Sequence, residues 1–91
     1  MRTNSVQDFK FGLNCGITPV PRPWECLHRH DEIELTFLLT PEPVIYRIGG
    51  KVIQISEADT LLFWGSIPHQ IVEISPGVEQ YWLTVPPDIF L

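Results

Sequence analysis

Nine prolines and six glycines in 91 residues leave this chain few uninterrupted stretches. Proline blocks a helix interior and removes a backbone donor, and glycine weakens helix and strand interiors alike. Between these breaks lie short runs rich in β-branched and aromatic residues, the pattern of an all-β domain. The clearest is Val44-Ile45-Tyr46-Arg47-Ile48, then Gly49-Gly50, then Lys51-Val52-Ile53-Gln54-Ile55. Two β-branched runs joined by Gly-Gly predict a tight hairpin, because glycine takes the positive φ angles of a primed turn. Asp8 to Gly12 reads as a first, edge strand, and the Pro- and Gly-rich Asn14 to Pro23 as a loop. Trp24 to Leu39 reads as one long strand, or as two joined by a bend around His30-Asp31. Thr60–Trp64, Gln70–Ile74 and Glu79–Val85 complete the set. Strands this short and this regularly spaced predict a sandwich or a barrel.

The length suits one domain with one core. No apolar run approaches the ~20 residues of a membrane-spanning helix. The opening Met1-Arg2-Thr3-Asn4-Ser5 has no apolar stretch behind it, so the expected compartment is cytoplasmic. Net charge is −5 and the six basic residues are scattered, which argues against this segment gripping a nucleic-acid backbone. Cys15 and Cys26 read as free thiols of a reducing compartment, with one disulfide as the alternative.

The chemistry concentrates in His28-Arg29-His30-Asp31-Glu32-Ile33-Glu34, answered downstream by Pro68-His69. Residues two apart on a strand share a face, so His28, His30 and Glu34 point the same way unless a bulge intervenes. His69 joins them from another strand. Ile33, Leu35, Phe37 and Leu39 then form an apolar face, opposite Glu32, Glu34 and Thr36. In a small barrel the polar face lines a pocket and the apolar face packs outward. His28, His30, Glu34 and His69 make a three-imidazole, one-carboxylate set suited to one divalent transition metal such as Zn, Ni, Fe or Mn. Glu32 is the alternative carboxylate if the strand bulges. The same groups equally suit a metal-free pocket that hydrogen-bonds a ligand. Trp24, Trp64 and Trp82 add flat surfaces on which a sugar can pack, and Trp64, beside the Gly65–His69 turn, is the best placed. Tyr46 and Arg47 face opposite ways, so only one enters the pocket. Cys26 shares the nominal face of His28, as a pocket thiol or as a buried structural one.

Three features together, His28-x-His30-x-x-x-Glu34, the Gly-Gly hairpin and Gly65-Ser66-Ile67-Pro68-His69, resemble the two-part signature of the cupin superfamily. Within cupins, His30-Asp31-Glu32-Ile33-Glu34-Leu35 and Leu62-Phe63-Trp64-Gly65-Ser66-Ile67-Pro68-His69-Gln70 look most like the sensor domain of AraC-type transcriptional regulators, with the melibiose-regulator branch a near likeness. The resemblance runs from about Trp24 to Leu91. It implies a cupin-type double-stranded β-barrel, jelly-roll-like, over residues 13–91, preceded by an N-terminal arm and edge strand over 1–12. It implies a pocket for a small polar effector, often a sugar. It also implies helices that support a homodimer and DNA-binding modules, both absent from this chain. Ala58 and Trp64 stand near the places where the general cupin pattern has glycine and proline. The expected function is therefore effector sensing by a regulator, without catalysis. The alternative is a stand-alone metal-dependent isomerase or dioxygenase.

Overall fold

The computed structural model describes residues 6–19 and 22–90. Its strands are β1 (Val6–Asp8), β2 (Asn14–Pro19), β3 (Leu27–Arg29), β4 (Ile33–Leu38), β5 (Val44–Ile48), β6 (Lys51–Ile55), β7 (Thr60–Trp64), β8 (His69–Ile74) and β9 (Glu79–Val85). A 3₁₀ turn follows at Pro87–Phe90. Two sheets form, one in the order β1-β3-β8-β5-β6 and the other β2-β9-β4-β7. The hydrogen-bonded ladders run within each sheet. The all-β expectation therefore holds at the level of two packed sheets.

The hairpin forms where the sequence predicts it. Ile48 pairs with Lys51, and Gly49 and Gly50 take φ of 55° and 85°, a backbone that residues with a Cβ adopt only at a cost. Alternation along β5 then turns Tyr46 inward, where it is fully buried, and Arg47 outward. Tyr46 joins Leu38, Val44, Ile55, Ile71 and Val78 in the apolar core, with Trp24 and Ile53 packed against it.

β4 is inverted relative to an ordinary surface strand. Glu34, Thr36 and Leu38 are the buried side (7%, 0% and 2% exposed), while Ile33, Leu35 and Phe37 are half-exposed. The reason lies in the partners. β9 meets the inner side with Thr84 and Gln80, and the Thr36 hydroxyl donates to the Tyr81 carbonyl at 3.1 Å. On the outside, register sets Ile33 beside Trp64 and Val85, and Leu35 beside Leu62 and Leu83. Phe37 stacks on Tyr81 with ring centroids 4.9 Å apart. Ile17, Leu62 and Trp64 are also exposed on this sheet.

Two local readings change, and a third takes the second of its two expected forms. Asn14–Pro19 is a strand, β2, paired with β9, not a loop. Its glycine lets the Trp82 ring lie close over the strand. A Cβ on Gly16 would sit 3.1 Å from the Trp82 ring, and Trp82 Nε1 donates to the Thr18 hydroxyl at 2.8 Å. Pro19 is tolerated because β2 is an edge strand. The first edge strand is Val6–Asp8, parallel to β3, and not Asp8–Gly12. Residues 9–12 instead carry the chain from the first sheet to the second. Finally, Trp24–Leu39 resolves into β3 and β4 in different sheets, bent at His30–Glu32. That bend is held by the His30 N–H donating to the Gly65 carbonyl and the Gly65 N–H donating to the Glu32 carbonyl, both at 2.9 Å. Residues 1–5 of the expected arm lie outside the described residues.

Ile71 lies at the centre of the core with no exposed surface. Its truncation in Ile71→Ala is expected to lower unfolding free energy by about 2–5 kcal/mol, the usual range for a buried aliphatic. Urea titration measures this, and a loss under about 1 kcal/mol contradicts the core position.

Candidate functional site

Between the sheets, beside the apolar core, lies a cavity of about 590 Å³, within the size range of small-molecule sites. Its deepest lining is polar: His30, His69, Glu34, Gln80 and Thr84, all at most 7% exposed. Its sides are aromatic: Phe9, Phe11, Trp24, His28 and Trp82. Arg22, Glu25, Gln7 and Thr18 are exposed at its rim.

Each polar group is positioned by local structure. β4 delivers Glu34 inward, and β8 opens on His69, which pairs in register with His28 of β3. His69 Nδ1 lies 2.8 Å from the Ile67 carbonyl. A carbonyl only accepts, so Nδ1 carries the proton and donates, and the neutral ring keeps a lone pair on Nε2. That Nε2 lies 3.9 Å from Glu34 Oε1, so two acceptors face one another. His30 sits between two carboxylates, with Nε2 2.9 Å from Glu34 Oε1 and Nδ1 3.4 Å from Glu32 Oε1. Neither His30 Nδ1 nor Glu32 Oε1 has a hydrogen-bond partner.

Glu32 is turned away from the cavity lining and ties down the wall. Its Oε2 accepts the backbone N–H of Gly12 at 2.7 Å and of Phe11 at 3.2 Å. Burial favours its neutral form, but these N–H donors, Gly12 foremost, prevail and hold its pKa below the ordinary value. Thr84 adds a second tie, donating its hydroxyl to the Gly12 carbonyl at 2.8 Å. Phe9 and Phe11 are thereby fixed as wall residues, stacked on one another at 5.7 Å. Gly65 makes room for His30, because a Cβ there would collide with the imidazole.

Burial, then the neighbouring His69, push His28 down to about 4, so its ring is neutral at pH 7. Burial, foremost, also lowers His69, against its bond to Ile67. Tyr46 is driven upward by burial and donates its hydroxyl to Gln80 Oε1 at 2.9 Å. That contact occupies the Gln80 oxygen and leaves its amide N–H groups as donors.

The residues singled out in the sequence are partly brought together. His30, Glu34 and His69 each offer a donor atom within 4.8 Å of the other two. His28 lines the same cavity but stands outside this triad, its ring lying flat on Trp24 at 4.0 Å with an interplanar angle of 4°. Trp64 does not reach the cavity. Phe63 takes the inward position on β7, so its neighbour Trp64 projects outward and is 55% exposed. Trp24 and Trp82 hold the cavity positions instead. Cys26 lines the cavity with its Sγ 3.5 Å from Gln7 Oε1, and both cysteines are free. Phe9, Phe11, Gln80 and Thr84 were not singled out in the sequence. The Phe9-Lys10-Phe11 alternation was the one visible sign of the first two.

A scan against protein-family models finds no match for the chain, and a search of curated proteins finds no relative. Among the described residues, no helix is long and apolar enough to cross a membrane.

Two outcomes follow from this geometry. Gly65→Ala is expected to displace the His30 ring and disorder the cavity, seen as loss of near-ultraviolet circular dichroism with the far-ultraviolet spectrum retained. An unchanged near-ultraviolet spectrum contradicts the close approach. The fold is also expected to weaken in acid. His28 titrates at about 4 when folded and near 6.5 when unfolded, so the unfolded chain binds more protons between those values. Stability falls as pH drops through that window. Glu32 acts in the same direction at lower pH, because its depressed pKa stabilises the fold only while it stays ionised. Urea midpoints at pH 7 and pH 4.5 test this, and equal midpoints contradict the burial of these groups.

Proposed function

We propose that this chain is a small-molecule-sensing module of cupin type, resembling the sensor domains of AraC-type regulators, which binds a small polar effector in the inter-sheet cavity. In such a regulator the effector alters DNA binding by a separate domain. The observation that carries the reading is the combination of a polar, buried cavity floor with aromatic sides. Apolar faces of a ligand pack on Phe9, Phe11, Trp24 and Trp82. Polar groups of the ligand meet Glu34, the His69 Nε2 lone pair and the Gln80 amide. Among the described lining residues the one thiol, Cys26, is directed to the Gln7 amide oxygen rather than to a histidine base, which favours binding over covalent catalysis. The effector biases the module only through its different affinity for two states. The wall segment tied by Glu32 connects the cavity to β1 and β2, so it is the element a ligand touches that also reaches the edges of both sheets.

The expected result is saturable quenching or enhancement of tryptophan fluorescence by a small polar ligand, with a raised melting temperature and no turnover. A broad panel of sugars, amines and polyols that shifts neither signal contradicts the reading.

A second reading rests on His69 Nε2 facing Glu34 Oε1 at 3.9 Å, a gap between two acceptors that a cation satisfies. His30, Glu34 and His69 fit a divalent transition metal in donor type and spacing. Such an ion would supply Lewis-acid activation of a bound oxygen. Metal analysis of protein purified without chelator decides it. Stoichiometric metal that is lost in His69→Ala supports this reading, and trace metal unaffected by the substitution rejects it.

The outer face of the β2-β9-β4-β7 sheet supports a homodimer. Its outward residues include Ile17, Leu35, Phe37, Leu62, Trp64 and Leu83, and none of these carries a charge. Soluble monomers rarely expose a contiguous apolar patch beyond a few hundred Å². Leu35, Leu62 and Leu83 lie side by side across three strands, an apolar centre that a second copy can cover with the same surface, while the outward charge of Glu79 stands at the end of β9. Sedimentation is expected to give a dimer that Leu62→Glu converts to monomer. A wild-type chain that stays monomeric at high concentration contradicts this.

A further inference from the structure

The cavity's charge and its ring content narrow the chemistry of its ligand, given the metal-free binding reading above. Among the described lining residues, the side chain with a permanent positive charge is Arg22, which is exposed at the rim. The deep lining holds the Glu34 carboxylate, with the Glu32 carboxylate directly behind His30. An anionic ligand would therefore meet a buried carboxylate and no buried fixed cation, which disfavours it strongly.

The walls point the same way. Phe9, Phe11, Trp24 and Trp82 line one cavity, and their rings form a nearly continuous belt. Phe9 lies 4.7 Å from His28, His28 lies on Trp24, and Phe11 is 6.3 Å from Trp82. Aromatic rings attract cations through their quadrupoles, most strongly where water is excluded. Both histidine contacts of Glu34 fall on Oε1, which leaves Oε2 for a ligand. The chain as a whole carries net charge −5, which favours the approach of a cation.

We propose that the ligand this cavity selects is a small organic cation, a substituted or quaternary ammonium, held among Phe9, Phe11, Trp24 and Trp82 with Glu34 as its counter-charge. A rim carboxylate, Glu25, adds a second attraction at the entrance. Neutral polyols can use the same hydrogen-bonding groups but gain nothing from the carboxylate or the ring quadrupoles.

The experiment compares choline with its neutral isostere 3,3-dimethylbutan-1-ol by titration calorimetry, with chelator present so that no metal responds. A panel of neutral sugars is run in parallel. Choline is expected to bind about tenfold tighter than the isostere, or better, the scale of a desolvated cation–π site. In Glu34→Gln, checked for folding by circular dichroism, this preference for choline over the isostere is expected to shrink. The wild-type comparison stands alone if that variant does not fold. Equal or tighter binding of the isostere overturns the inference. Sugars that bind where choline does not also overturn it, while leaving the sensing-module reading intact. No binding by any of these overturns the inference, and extending the same silence to the full effector panel overturns the sensing reading as well.

Discussion

The structure depends on one expensive placement, the burial of the Glu34 carboxylate between two sheets. A carboxylate 7% exposed is tolerable only when charged or donating groups surround it. His30 provides one at 2.9 Å, while the His69 Nε2 lone pair faces the same oxygen from 3.9 Å without donating to it. Those two rings in turn require their own supports. His30 needs the missing side chain of Gly65 and faces Glu32, and His69 is locked by the Ile67 carbonyl. Glu32 passes the constraint outward by holding the backbone of Phe11 and Gly12. A polar cluster thus determines where an aromatic wall stands, and so what shape of cavity exists.

Such a cluster contributes little net stability. Replacing it with well-packed apolar residues would in general be neutral or stabilising. The apolar core stands apart from it, built from Leu38, Val44, Tyr46, Ile55, Ile71 and Val78. The division of labour is spatial. One end of the sandwich holds the fold, and the other holds groups whose retention makes sense for recognition. Tyr46 joins the two, packing in the core while its hydroxyl orients Gln80 at the cavity.

Much of this was legible in the sequence where the signal is local. Gly49-Gly50 between two β-branched runs gives the hairpin, and two-residue spacing puts Glu34 and Thr36 on one side of β4. The inward turn of that polar side agrees with the expected pocket. Pro68-His69 reaches the same cavity from β8. What could not be read depends on contacts between residues far apart. Asn14–Pro19 looks like a loop because its glycine and proline are turn residues, and the partner strand that makes it a strand lies far along the chain, with Gly16 opposite Trp82, 66 positions on. Trp64 was assigned to the pocket by its nearness to His69 in sequence, yet alternation on β7 gives the inward place to Phe63. His28 keeps the expected direction, but stacking on Trp24 holds it outside the triad.

All three histidines of the chain line the one cavity, so their ring signals report on it without interference. The most direct test is a pH titration of those signals by heteronuclear magnetic resonance. Two histidines, His28 and His69, are predicted to titrate below the ordinary 6.5, His28 at about 4. His69 is predicted to hold its Nδ1–H tautomer throughout the neutral range. Three rings titrating together near 6.5 with mixed tautomers would mean solvent-exposed histidines and no buried site, and would contradict the account.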